Sequence, residues 1–351
     1  MGMTITEKII ASHSKYDAVK PGDIIDISID ARAARDFGGA NVVKNLNDFG
    51  LSVENPARTL FTFDCNPTGS DQKYAVNQHI CRQFARNNDI KVYDINAGIG
   101  THLLIEEGYV WPGATAVSTD SHANILGAVG AFGQGMGDMD IAAAWNSGKV
   151  WFKVPASVML NLNGKMPAGV TAKDVILNLL KIYGANTLLG YSIELYGDAV
   201  DKMTLDERIT IASMATEMGA IIILLPPTKE ITDYCRARSR EPFEPVFADP
   251  DASYAITAEI DVTAFRPMVS RPGEPHDTVN VNDLAVTRID SAFIGSCTNG
   301  RIEDMRVTAG ILKGKKVAPG VVLKIVPSTD EVWRECLAEG FIEIFKNAGA
   351  L

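Results

Sequence analysis

The residues best placed to do chemistry in this sequence sit at three polar turns: Asp64-Cys65, Asp120-Ser121-His122 and Ser296-Cys297-Thr298-Asn299. His102 occupies a fourth loop, and Glu217 lies just before Gly219. A carboxylate beside an imidazole suits proton transfer, because it orients the ring and stabilises the imidazolium. A thiolate at Cys297 would serve as a nucleophile, a redox thiol or a metal ligand. Taken singly, each Asp or His is as well explained by a cap or a solvated loop, and the cysteine by a small buried side chain. Their shared placement is what points to a site.

That placement follows from the elements around them. Ser291 to Met305 reads as a short apolar strand, a tight Gly-Ser-Cys-Thr-Asn-Gly turn and a helix beginning near Arg301. Cys297 is thereby expected at the carboxyl end of a strand, where open α/β sheets bind ligands. A nearby helix amino end would favour its thiolate. Upstream, residues 5–19 read as a helix and 23–30 as an alternating strand. Leu60–Phe63, Ile90–Tyr93 and Ala114–Ser118 read as strands, with a helix over 71–87. The glycine-rich run 127–137 fits neither GxGxxG nor a P-loop, and is better explained by close packing and turns. Thr171-Ala-Lys-Asp174 and Thr204-Leu-Asp-Glu207 are capping boxes, and Gly219 ends a helix before the strand Ile221–Leu225. Residues 237–282 read as loops and linker with short strands, 321–326 as a strand, and Ser328-Thr-Asp-Glu331 as the cap of a helix reaching about Lys346. The pattern is α/β in three consecutive units. Residues 1–155 carry Asp64 and Asp120–His122, 156–285 carry Glu217, and 286–351 begin a third unit carrying Cys297.

Hydrophobic content of 46% and charged content of 22% are ordinary for a soluble globular protein. A net charge of −10 argues against nucleic acid or an acidic membrane surface as a partner. No apolar run is long enough to span a bilayer and no signal peptide is visible, so a cytoplasmic location is expected. Five scattered cysteines without a CxxC pair argue against a disulfide framework and for a reducing compartment.

The run Gly295-Ser-Cys-Thr-Asn-Gly-Arg301 resembles the first cluster-cysteine motif of the aconitase superfamily, specifically large subunits of the 3-isopropylmalate dehydratase kind. Supporting matches are Phe63-Asp64-x-x-Pro67, Gly98-Ile99, Thr119-Asp-Ser-His122, Lys153-Val-Pro155 and Met214-x-x-Glu217-Met-Gly-Ala220. The resemblance covers nearly the whole chain. It implies a hydro-lyase that dehydrates and rehydrates a hydroxy di- or tricarboxylate, with a [4Fe–4S] cluster held by three cysteines acting as Lewis acid. It further implies Cys297 as the first cluster ligand and Asp64, His102, Asp120, His122 and Glu217 as acid–base residues. Ser121 and Asn299 become substrate contacts. A separate small swivel-domain subunit would supply a serine base and a carboxylate-binding arginine.

Several positions depart from the family pattern. The second and third cluster cysteines would lie beyond Leu351, which suggests a shortened chain or a cluster-free relative. Cys65 stands where the family has histidine after aspartate, Thr101 where a histidine follows Gly-Ile, Arg35 where an early His or Gln meets substrate, and Ser213 where Asn precedes Met-Ala. Arg35 offers a bidentate contact to an extra carboxylate. Cys65 offers a fourth cluster ligand, a proton donor or a filler. The competing functions are a cluster-free paralogue that binds a carboxylate or regulates a partner, a nucleic-acid-binding regulator, and a thiol enzyme using Cys297 or Cys65 with a depressed pKa.

Overall fold

The computed structural model describes residues 2–67 and 71–351. The first sheet has five parallel strands. In chain order they are Ala31–Arg35, Thr59–Thr62, Lys91–Tyr93, Thr115–Ser118 and Phe132–Gly135. In space they run third, second, first, fourth, fifth. The chain therefore reverses its winding between Ala31–Arg35 and Thr115–Ser118, and a ligand crevice forms at such a switch point beyond the carboxyl ends.

Both faces of this sheet are buried, with period 2. Ala33, Leu60 and Ala116 enter one apolar cluster, while Ala34, Phe61 and Val117 enter the other. The central strand, Ala-Arg-Ala-Ala-Arg, has small side chains and no apolar run, which is why the expected strand stops at residue 30. The observed elements are Ile24–Ser28, paired antiparallel with Lys149–Lys153, and then Ala31–Arg35.

The second sheet has four parallel strands, Ser157–Asn163, Ser192–Tyr196, Ile222–Leu224 and Ile256–Asp261, ordered third, second, first, fourth. The segment read as loops and linker with short strands contributes one of them, Ile256–Asp261, to this sheet. One apolar cluster runs across residue 155, joining Leu60 and Ala116 to Val158, Leu160 and Ile193. The last segment pairs Ser291–Ile294 in parallel with Val322–Ile325 and packs on its own cluster around Met305, Val332 and Phe345.

Other expectations are corrected at element ends. The first helix is Ile5–Ser12, closed by His13, whose Nδ1 lies 2.8 Å from the Ile9 carbonyl. The helix expected to reach Lys346 is two, Asp330–Ala338 and Phe341–Ala348, broken at left-handed Gly340. Thr329 caps the first of them. Both predicted capping boxes form, at Thr171–Asp174 and Thr204–Glu207. The glycine run holds a 3-10 helix, Ala123–Val129, and the strand Phe132–Gly135. A Cβ at Gly135 would lie 2.5 Å from the Asp120 carbonyl and 2.7 Å from Ser121 Cα, so only glycine lets the Asp120 turn seat there. Among the described residues no helix is long and apolar enough to cross a membrane.

Candidate active site

Arg35 ends the central strand, and Asp120 follows the strand across the switch point. Arg35 Nη1 lies 3.1 Å from Asp120 Oδ1, and its Nε donates to Asp64 Oδ1 at 2.6 Å. The side chains of Asp64 and Asp120 are 3% and 2% exposed, against 25% for Arg35. Burial acts against the guanidinium charge, but the carboxylates of Asp64 and Asp120 outweigh it and hold Arg35 firmly cationic. Asp64 Oδ2 accepts from Gly100 N–H at 2.7 Å, while Asp120 Oδ2 is buried with no partner. The resemblance left Arg35 open to an extra substrate carboxylate. Its Nε and Nη1 are instead engaged by the protein's own acids.

His122 continues the chain of contacts. Its backbone N–H donates to Asp120 Oδ1 at 3.0 Å, and its Nε2 lies 3.2 Å from Glu217 Oε1. Ser121 Oγ is 3.1 Å from His122 Nδ1. The bond to Glu217, ahead of the opposing effect of burial, raises the imidazole pKa above its ordinary value, and the fields of Glu217 and Asp120 add to it. Glu217 Oε2 is buried and unpartnered. Two orphaned carboxylate oxygens within one set of linked side chains mark where a polar ligand would be received.

The Cys297 turn is built from strained and clamped backbone. Ser296 adopts φ 77°, Gly295 φ 152° and Gly300 φ 84°. His102 Nε2 lies 2.8 Å from the Cys297 carbonyl, and Thr210 Oγ1 donates to the Thr298 carbonyl at 3.0 Å. Asn299 Nδ2 donates to Thr210 Oγ1 and Asp304 Oδ1, both at 3.2 Å. Arg301, nearly fully buried, bonds Asp206 at 2.8 Å and pairs with Glu106. Gly98 pairs with Thr329, tying the Gly98–Ile99 loop to the same segment. Asn299 is thus part of the clamp.

His102 is fully buried, and burial, with the field of Arg301, lowers its pKa to about 3. It is neutral, so Nε2 carries the hydrogen that meets the Cys297 carbonyl and Nδ1 is left without a partner. The structure puts it behind the turn as a positioning residue rather than among Asp120, His122 and Glu217.

Cys297 feels the fields of Asp120, Arg35 and Glu217, which sets it beside the Arg35–Asp120–His122–Glu217 contacts. The expected thiolate stabilisation does not arise. The helix starts at Ile302, with the turn intervening, and burial followed by the Asp120 field pushes the Cys297 thiol up. Cys65 donates its thiol to Asp64 Oδ1 at 3.6 Å, its N–H to Asp36 Oδ1 at 3.1 Å, and burial pushes its pKa up as well. Neither thiol has the depressed pKa of a cysteine nucleophile.

The [4Fe–4S] cluster that the resemblance implies takes three protein thiolates. Cys81, Cys235 and Cys336 are buried in the three apolar cores, and Cys65 sits against Asp36 and Asp64. Among the described residues Cys297 is therefore the single thiol beside the Asp120–His122–Glu217 contacts, one of the three that such a cluster needs.

Two features escaped the sequence. Lys173 lies inside the capping box Thr171–Asp174, where its signal was read as helix initiation. Its Nζ donates to Met214 Sδ at 3.6 Å, and it lies in the fields of Glu217 and Cys297. The second is the Arg35 clamp, whose partners are 29 and 85 positions away; nothing local signals it.

A family model described as the aconitase family (aconitate hydratase) matches residues 7–288 and 283–351. The chain is 37% identical over 354 residues to a 3-isopropylmalate dehydratase large subunit of Sulfurihydrogenibium sp., covering all of this chain and 82% of the relative. It is 39% identical to that of Heliobacterium modesticaldum and 38% identical to that of Halothermothrix orenii, each over 353 residues, covering all of this chain and 84% of each relative.

Proposed function

The chain belongs to the aconitase family, and on that premise we propose that it is the large catalytic subunit of a hydro-lyase acting on a hydroxy di- or tricarboxylic acid of the 3-isopropylmalate kind. The observation that carries this is the unbroken set of contacts from Arg35 through Asp120 and His122 to Glu217 at the switch point of the first sheet.

Dehydration takes a proton from carbon and delivers one to the departing hydroxyl; rehydration reverses both. With its pKa raised by Glu217, His122 is the group we assign to deliver that proton to the hydroxyl. Glu217 orients the ring through Nε2, and Asp120 fixes the backbone of His122. Arg35 joins the two acids Asp64 and Asp120 through separate nitrogens and keeps the cleft from accumulating uncompensated negative charge. The proton on carbon is assigned to a base on a second subunit, in keeping with relatives named large subunits. We assign that partner as a small swivel-domain subunit, and the location as cytoplasmic. Cys297 would furnish one thiolate to the iron–sulfur cluster that the family implies, and such a cluster, when bound, would supply Lewis acidity.

The test is anaerobic reconstitution of the protein with iron, sulfide and the small subunit. A cluster absorption spectrum together with hydration of an alkene dicarboxylate is expected. A folded complex showing neither contradicts the proposal.

A further inference from the structure

We propose that Lys173 binds a carboxylate of the substrate and so sets the preference of this site for di- over monocarboxylic acids; this rests on the hydro-lyase reading above and extends it. Among the described residues Lys173 forms no ion pair: its Nζ meets only the thioether of Met214, at 3.6 Å. It stands in the first turn of the helix Ala172–Tyr183, at the positive end of the helix dipole, where a cation is disfavoured. It is half-buried, and burial pulls its pKa below the ordinary lysine value. An ammonium kept in these surroundings without a direct ion pair is costly, since methionine or glutamine would fill the same space more favourably.

The surroundings supply a reason. Lys173 lines a cavity of about 600 Å³ with Met214, Glu217, Met268 and Thr298. Glu217 is the same carboxylate that holds His122, and Thr298 adjoins Cys297. A small acid lying against His122 would therefore find this ammonium beside Glu217. Arg35 is already held by Asp64 and Asp120, whereas Lys173, though in the field of Glu217, makes no ion pair among the described residues. The thioethers of Met214 and Met268 offer an apolar wall for an alkyl substituent.

The test uses the reconstituted two-subunit enzyme with Lys173→Met, Lys173→Gln and Lys173→Arg, and two readouts. Malonate, a dianion that cannot be dehydrated, is titrated by calorimetry. Steady-state kinetics is measured with the alkene dicarboxylate. The expected result is at least tenfold weaker malonate binding and a matching rise in KM for Lys173→Met and Lys173→Gln, with kcat within about threefold and near-recovery in Lys173→Arg. Unchanged malonate affinity in a folded Lys173→Met enzyme overturns the inference, as does a loss confined to kcat. Failure of wild-type turnover would sink the hydro-lyase reading, while the malonate titration would still decide the role of Lys173.

Discussion

His122 Nε2 and Glu217 Oε1 lie 3.2 Å apart although the residues are 95 positions apart in sequence, one following a strand of the first sheet and the other preceding a strand of the second. This pair couples the two sheets and sets the protonation of the imidazole. Glu217→Gln removes the largest cause of the raised pKa, so the His122 titration should fall toward about 6.5, read by NMR of the imidazole protons. The kinetic limb that reports His122 should move to lower pH with it. The stability sign follows from the direction. A raised folded pKa contributes stability that is fully present below about pH 6.5 and is lost as pH rises through the folded value. The difference in unfolding free energy between wild type and Glu217→Gln should therefore shrink between neutral and mildly alkaline pH.

Arg35 has the opposite character, a charge enclosed by two buried acids. Arg35→Met leaves Asp64 and Asp120 without their counter-ion and should destabilise the fold by about 3–5 kcal/mol, the usual consequence of stranding a buried charge. Adding Asp64→Asn to that variant should restore part of the loss. Denaturant unfolding of the two variants and wild type reads this directly, and additive effects would contradict the contact.

For His102 the prediction concerns the turn that carries Cys297. His102→Phe keeps the bulk and removes the hydrogen bond to the Cys297 carbonyl, an unmade buried bond of about 1–3 kcal/mol. Hydrogen exchange should accelerate across residues 295–300 and leave the first sheet unchanged. With a folded pKa of about 3, His102 contributes stability that is present above about pH 6.5 and is lost as pH falls toward the folded value. The His102→Phe variant should lack that acid sensitivity.

The raised thiol pKa values of Cys65 and Cys297 make a separate prediction. Alkylation of the metal-free protein at neutral pH should be slower at both positions than for a free thiol, rising only in alkaline solution. Peptide mapping after a timed iodoacetamide pulse measures it.

Much of the site was legible because strand-to-turn-to-helix transitions leave local marks. Asp64, Asp120 and the Cys297 turn are where glycine, proline and capping residues interrupt apolar runs. The strand that organises them, Ala31–Arg35, was not legible, since its alanines owe their burial to neighbours distant in sequence. The strands at 157–163 and 192–196 carry polar positions, such as Asn161 and Glu194, whose partners include residues distant in sequence, Glu259 and Tyr254. His102 looked like an acid–base residue because a histidine just after two glycines reads as a loop residue, whereas it lies in the buried helix Gly100–Glu106. Lys173 was hidden for the converse reason, since a capping box already explained its surroundings.

The central claim is that the imidazole held by Glu217 delivers the proton to the departing hydroxyl. It is tested most directly by comparing wild type with His122→Asn as reconstituted two-subunit enzymes, at matched cluster absorbance, on the same alkene dicarboxylate. Loss of positioned acid–base catalysis predicts a fall in kcat of about 10²–10⁴-fold with the cluster spectrum unchanged. A kcat equal to wild type in a folded, cluster-loaded His122→Asn enzyme would contradict the account.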